Sequence, residues 1–385
     1  MKKPVEVSVK DFETILEQYL DAESTINYAL KIVGHPGVGK SAVVKQVALR
    51  KNYYFIDTRL AFKENVDLGG YPVPDNHEKR MIYYRPRFIP PEDVPEKYNG
   101  ILWFLDEANR AHPTVIQTLF QIITEHMCGE HALPEKTSIV LAGNLGELDN
   151  TTITDFDDSA LDGRLAIFHL KPSTDEWLEW AYATGIHPAV TRYITLFPER
   201  LWDERNINPN PRGWHQVSET LFRSYQLTTV EEFITYLESD ERSVLEKVII
   251  SLVGEIAGSD FTAQFTSPRS IGTHDILSGN NEKLEMLKSD DISAEDLLWA
   301  LSGSLDYLRE KNILKQGQLN HDDLVELKNV LTFTGYARAD ARMSFFYIMV
   351  RDCGLFTSVP DALRLIEDDD TRELLKERFG KLLEV

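Results

Sequence analysis

The run Gly34-His35-Pro36-Gly37-Val38-Gly39-Lys40-Ser41 matches the spacing G-x-x-x-x-G-K-[ST]. Glycines so placed let a backbone fold tightly enough for successive N–H groups to face phosphate oxygens. A helix opening at the lysine adds its positive end. Lys40 then pairs with β- and γ-phosphates, and the Ser41 hydroxyl ligates Mg2+. Asp106 follows Lys40 by 66 residues and closes the apolar run Ile101-Leu-Trp-Phe-Leu105. A carboxylate at the C-terminal end of a strand beside a phosphate loop can hold the Mg2+ shell. Glu107, one residue on, faces another way and can polarise an attacking water. Asn144, in Ala142-Gly143-Asn144, either orients that water or serves a turn.

These side chains work together only if a sheet brings them to one edge. Short apolar runs predict strands at Tyr28–Val33, Tyr53–Ile56, Ile101–Leu105, Ile139–Ala142 and Leu165–Leu170, with a helix from about Lys40 to Leu49. Continuous apolar runs suit parallel strands covered by helices on both faces, so the fold class is α/β with a five-stranded parallel sheet. Residues 68–91 are rich in Gly and Pro and read as an insertion with a hairpin around Met81–Tyr84. The chain beyond Leu170 is mostly of helical pattern. The expected division is an α/β domain over 1–170, a helical lid over 171–257, and a linker plus helical region over 258–385. Within the last, 258–292 are rich in Gly, Ser, Thr, Asn and Asp and predict an extended linker.

Composition narrows the function classes. With 42% hydrophobic and 27% charged residues, the 385-residue chain has the balance of a globular protein rather than a disordered one. The net charge of −21 divides as −7 over residues 1–170 and −14 over 171–385. Acidity of that size makes a non-specific polyanion binder a poor expectation. Lys79, Arg80, Arg85 and Arg87, with Tyr83, Tyr84 and Phe88 among them, form a local exception that suits either single-stranded nucleic acid or a gripped protein segment. Two cysteines, Cys128 and Cys353, lie 225 residues apart and suggest a reducing, cytoplasmic compartment. The N-terminus lacks the apolar stretch of a signal peptide, and the longest apolar run, Phe345 to Val350, is too short to span a membrane. His126, Cys128 and His131 fit no common zinc spacing. Asp155, Asp157 and Asp158 lack the Gly and distal Glu of a calcium loop and read as a solvated turn.

The stretches GHPGVGKS, WFLDEANRAHPTVIQTLFQIITEH, VLAGN, SALDGRL and PNPRGW together resemble the MoxR family of AAA+ ATPases, over about residues 20–225. The resemblance implies an AAA+ P-loop core that hydrolyses ATP with Mg2+. Asp106 and Glu107 become its Walker B pair and Asn144 its first sensor. Arg164 falls at the arginine finger, although Leu165 follows it where the family usually has Phe. Arg212 falls at the second sensor, opening a lid helix behind Pro211. The segment 68–91 becomes the helix-2 insert of this clade, and about 125–137 the hairpin before the first sensor. Arg110 is either an interface residue or a structural one.

The family further implies a homo-oligomer, usually a hexameric ring, acting as a chaperone with a von Willebrand factor A (VWA) domain protein. No D-x-S-x-S signature of that domain occurs here, so such a partner is a separate chain, with the acidic C-terminal part as its natural contact. The alternative is a nucleic-acid remodelling or translocating NTPase of the same clade. A nucleotide-bound scaffold with little turnover fits less well with Asp106, Glu107 and Arg164 all present. GTP is disfavoured because no N-K-x-D motif is found.

Overall fold

The segment Ile101–Asp106 carries five apolar residues in succession because both of its faces are covered. Leu102 and Phe104 pack into a layer with Phe12 and Leu16 of helix α1 (Val9–Leu20) and with Val43, Val44 and Val47 of α2 (Lys40–Arg50). Trp103 and Leu105 point the other way, against Val115, Leu119 and Ile123 of α3 (Pro113–Glu125). The alternation is the period of two of a strand with two buried faces. The computed structural model describes residues 3–24, 26–146, 161, 163–315, 317–351, 353–355 and 357–383.

The strands in chain order are β1 (Val5–Val7), β2 (Ala29–Val33), β3 (Tyr54–Arg59), β4 (Pro72–Asp75), β5 (Arg80–Tyr83), β6 (Ile101–Asp106), β7 (Met127–Cys128), β8 (His131–Ala132), β9 (Thr137–Gly143) and β10 (Leu165–Leu170). Six of them make one parallel sheet in the order β1-β10-β2-β9-β6-β3. The α/β class and its parallel sheet are therefore as expected, with one strand more. The sixth, β1, is a three-residue edge strand pairing Val5–Val7 with Phe168–Leu170, too short to leave a pattern in the sequence. Because all six run in one direction, the loops after β2, β6 and β9 emerge at the same edge. The other two hairpins stand apart from this sheet: β4 pairs antiparallel with β5, and β7 with β8.

Local chemistry sets the helix boundaries. Ser8 and Asp11 close a reciprocal capping box at the start of α1, at 3.2 and 3.4 Å. Pro113 occupies the first turn of α3, where its missing N–H costs nothing, and the His112 ring accepts the Thr114 N–H at 3.4 Å. Trp103 buries an indole N–H, which donates to Thr58 Oγ1 at 2.9 Å. That hydroxyl donates in turn to Phe88 O at 2.9 Å, pinning the end of the 68–91 insertion to the sheet.

The chain divides into two compact units, Met1–Trp177 with Trp202–Gly213, and Leu178–Leu201 with Trp214–Val385. The boundary expected near 257 falls inside the second unit. Residues 258–292 are not an extended linker there: they contribute to helices Glu255–Thr266, Thr273–Leu277 and Asn281–Lys288. Phe261, Phe265, Ile271 and Ile276 are buried, and small residues serve close packing, since a Cβ on Gly258 would stand 2.7 Å from Ile250 Cα. A composition typical of linkers also lets two helices approach closely. Among the described residues no helix is long and apolar enough to cross a membrane.

Candidate functional site

β2 ends at Val33, and the chain turns through Gly34–Gly39 into α2. Gly37 (φ +84°) and Gly39 (φ +100°) adopt left-handed backbone that any other residue enters at a cost of about 1–2 kcal/mol. Val38, between them, is buried in the α1–α2 layer and anchors the loop. His35 is also buried, its ring edge-on to Trp202 at 5.5 Å, so its side chain packs while its carbonyl faces Lys40. Lys40 Nζ donates to Gly34 O at 2.6 Å, to His35 O at 2.9 Å and to Asn144 Oδ1 at 3.0 Å.

The Ser41 hydroxyl donates to Asp106 Oδ2 at 3.2 Å, while Asp106 Oδ1 accepts the Glu107 N–H at 2.8 Å. Glu107 itself has φ +56° and ψ +35°, a strained conformation for a residue with a side chain. This kink ends β6 and starts the short turn Ala108–Arg110, so the two adjacent carboxylates diverge. Ser41 and Asp106 are both oxygen donors, the ligand chemistry of a hard divalent cation. Asp57, on neighbouring β3, belongs to these surroundings although no motif marks it. Partial desolvation, and then the Asp106 charge, hold its carboxyl above the ordinary range.

The structure thus brings Gly34, Lys40, Ser41, Asp106 and Asn144 together at one edge of the sheet, with Glu107 beside Asp106. Arg164 lies elsewhere. Its carbonyl accepts the Ala29 N–H at 3.0 Å at the start of β2, roughly 15 Å of strand away from the Gly34–Gly39 loop, and its guanidinium stacks 5.5 Å from the Phe120 ring. Asp158 and Asp162, weighed as its partners, and the Asp155–Asp158 turn lie outside the described residues. Arg212 meets the loop through its backbone: its N–H donates to Gly37 O at 3.1 Å, and its side chain is exposed. It is the second residue of α4 (Pro211–Glu219). Arg110 is exposed at the end of its turn.

Two residues missed in the sequence support this edge. Asn210 Oδ1 accepts the Gly213 N–H at 2.9 Å and sits where a Cβ on Gly37 would come within 2.4 Å. Asn109 bonds both peptide groups of Asn144. Both fall within quoted stretches, Asn210 in PNPRGW and Asn109 in WFLDEANRAHP, but nothing local marks the contacts they make.

The basic hairpin is less available than its composition implies. Arg85 donates to Pro90 O at 2.5 Å and to Ala132 O at 2.9 Å, and Arg80 pairs with Glu78 at 2.7 Å. Tyr71, Met81, Tyr83 and Tyr84 are exposed. Cys128 is turned inward: its thiol meets Leu68 O at 3.1 Å, and burial pushes its pKa up to about 12. A cavity of about 320 Å³, lined by Tyr19, Tyr53, Glu135 and Thr137 among others, shares no residue with the Lys40–Asp106–Asn144 cluster.

Neither a family model nor a curated protein matches the sequence. Among solved structures, the chain is similar to a candidate ATPase from Cytophaga hutchinsonii, at 17% identity and a TM-score of 0.30, over 42% of this chain and 46% of that one. It is also similar to NtrX from Brucella abortus in complex with ADP, at 13% identity and a TM-score of 0.35, over 78% of this chain and 64% of that one. The chain thus spans under two thirds of either neighbour. Likeness at such scores carries no argument, so the site rests on its own geometry.

Proposed function

We propose that the first unit is a Mg2+-dependent, ATP-hydrolysing engine of the AAA+ kind, in its MoxR branch, working as a homo-oligomeric ring on a protein partner. One observation carries the reading: Lys40 reaches Asn144, and Ser41 reaches Asp106, beside a loop opened by two left-handed glycines. The backbone amides of that loop and of the first turn of α2 suit the β- and γ-phosphates, with Lys40 adding its charge. Ser41 and Asp106 would hold a Mg2+ ion, which would neutralise charge on the phosphate oxygens.

The remaining residues divide the work. Glu107 accepts the proton of the attacking water at its carboxylate. Asn144 has its amide oxygen turned to Lys40, which leaves its NH2 to orient the water or a γ-phosphate oxygen. Arg164, remote from its own Lys40, serves a neighbouring subunit's site in a hexameric ring, so hydrolysis requires assembly. Arg212 reports phosphate occupancy from the root of α4, in its own or a neighbouring subunit. A separate VWA-domain protein and a client complex are the partners the family resemblance suggests, with the acidic helical unit as contact surface. A cytoplasmic setting fits two buried cysteines that form no disulfide.

The nucleic-acid reading draws less from the hairpin than its composition offers, because Arg85 already bonds within the protein. The test is Mg-ATP hydrolysis by wild-type protein and Glu107→Gln. The variant should bind ATP while turnover falls by about 10²- to 10⁴-fold. Unchanged turnover removes Glu107 as the base. Stimulation by DNA or RNA, and none by a VWA-domain protein, moves the function to the alternative class.

A further inference from the structure

The ladder between β2 and β9 ends at the pair Val33–Gly143, so the peptide groups of Asn144 lie one residue past it. Buried backbone donors and acceptors need partners. The side-chain amide of Asn109 provides both: Nδ2 donates to Asn144 O at 2.7 Å, and Oδ1 accepts the Asn144 N–H at 3.2 Å. The reversed amide would set donor against donor and acceptor against acceptor, so the orientation is determined by its partner. A primary amide is the side-chain copy of a peptide group, and here it continues the sheet by one residue.

Two neighbours make this contact more than a local convenience. A Cβ on Gly143 would stand 2.8 Å from Asn109 Oδ1 and 2.9 Å from its Cγ, so glycine at 143 is what admits the amide. Asn109 itself lies in the turn Ala108–Arg110, which opens at the left-handed Glu107. The opposite end of the chain of contacts is Asn144 Oδ1, which accepts from Lys40 Nζ at 3.0 Å.

We infer that Asn109 is a positioning residue, which holds Asn144 in register with Lys40 and ties it to the turn that aims Glu107. It touches no reacting atom; it makes the amide and the carboxylate that face the γ-phosphate one rigid piece. The inference rests on the ATP-hydrolysis reading above.

The experiment measures kcat and KM for Mg-ATP hydrolysis, equilibrium ATP binding and melting temperature. The variants are Asn109→Ala, Asn109→Asp, Gly143→Ala, Asn144→Ala and the double variant Asn109→Ala/Asn144→Ala. Asn109→Ala should lower kcat by about tenfold or more, with KM and ATP affinity within about threefold. In the Asn144→Ala background it should cost clearly less than in the wild type, because the part of its effect that passes through the Asn144 amide is already gone. Asn109→Asp keeps the size and the acceptor but sets a second carboxylate oxygen against Asn144 O, and should lose as much as the alanine variant. Gly143→Ala, which pushes the two asparagines apart, should move kcat the same way.

A folded Asn109→Ala or Asn109→Asp with wild-type kcat overturns the inference, as does a double variant whose losses multiply. If substitution at Asn109 prevents folding, Gly143→Ala becomes the deciding variant, and wild-type kcat in it equally overturns the inference. Wild-type protein that hydrolyses no ATP overturns the phosphate-site reading and this inference together. Turnover lost in Glu107→Gln but kept in Asn109→Ala overturns this inference alone.

Discussion

At the edge of the α/β sheet, Lys40 meets Asn144 at 3.0 Å and Ser41 meets Asp106 at 3.2 Å, beside left-handed backbone at Gly37, Gly39 and Glu107. Inside the helical unit, Arg192 and Asp306 are 6% and 7% exposed and close on each other at 3.1 Å. Both of those residues sit on regular helices, Pro188–Leu196 and Ala294–Leu314. The first region draws its polar groups from strand ends and irregular loops, and holds strain there. The second pairs opposite charges between rigid elements and asks nothing unusual of the backbone. Strained backbone beside converging polar atoms is the arrangement of a site that receives a ligand, and a closed ion pair is that of a structural fastener.

If that contrast is right, the fastener should dominate stability. Arg192→Met leaves Asp306 buried without its partner and should cost about 3–5 kcal/mol, read as a fall in melting temperature. Arg192→Met with Asp306→Leu should recover most of it, because no lone charge remains. A single variant that costs under about 1 kcal/mol would show that the pair fastens little.

The same interior should also respond to acid. His187 is fully buried, and burial pushes its pKa down to about 4. Its Nδ1 accepts the Ala189 N–H at 3.1 Å, capping the helix that carries Arg192, and protonation there removes the cap. The native state therefore binds this proton more weakly than the unfolded chain. The stability involved is present above the unfolded value of about 6.5 and is lost as pH falls towards 4, up to about 3 kcal/mol. His187→Asn retains a capping acceptor that does not titrate, so the slope of melting temperature against pH should flatten between 6.5 and 4. An unchanged slope assigns the acid response to other groups.

The smallest effect separates two glycines of one loop. Gly37→Ala meets both a positive φ and Asn210 Oδ1, whereas nothing lies within 4 Å of a Cβ on Gly39. Alanine at 37 should weaken ATP binding by about tenfold, and Asn210→Ser should restore part of it. The same second change should do nothing for Gly39→Ala. Equal rescue of both would mean that backbone strain alone, rather than the Asn210 contact, makes Gly37 necessary.

Much of the glycine-rich edge was legible in the residues themselves. Glycine spacing, an apolar run ending in Asp106 and Glu107, and the position of Asn144 are local patterns, and each reports a local requirement. The 258–292 stretch was misread because Gly, Ser and Thr mark both flexible linkers and closely packed helices, and burial of Phe261 and Phe265 decides between them. The basic hairpin was legible only in part, for a related reason. Charge can be counted along a chain, but Arg85 is withdrawn by carbonyls at Pro90 and Ala132, the latter 47 residues away.

Composition, periodicity and the glycine pattern were enough to specify an α/β sheet, a glycine-rich loop after a central strand and the carboxylates at the sheet's edge. They could do so because strand and turn preferences act over a few residues. Strand order decided the rest. Only the folded sheet sets β9 between β2 and β6, and so brings Asn144 to Lys40 and Asn109 to Asn144 across 104 and 35 residues of chain. Hydrogen bonds between such distant groups leave no local trace, since they depend on register and on a glycine, Gly143, that makes room for them.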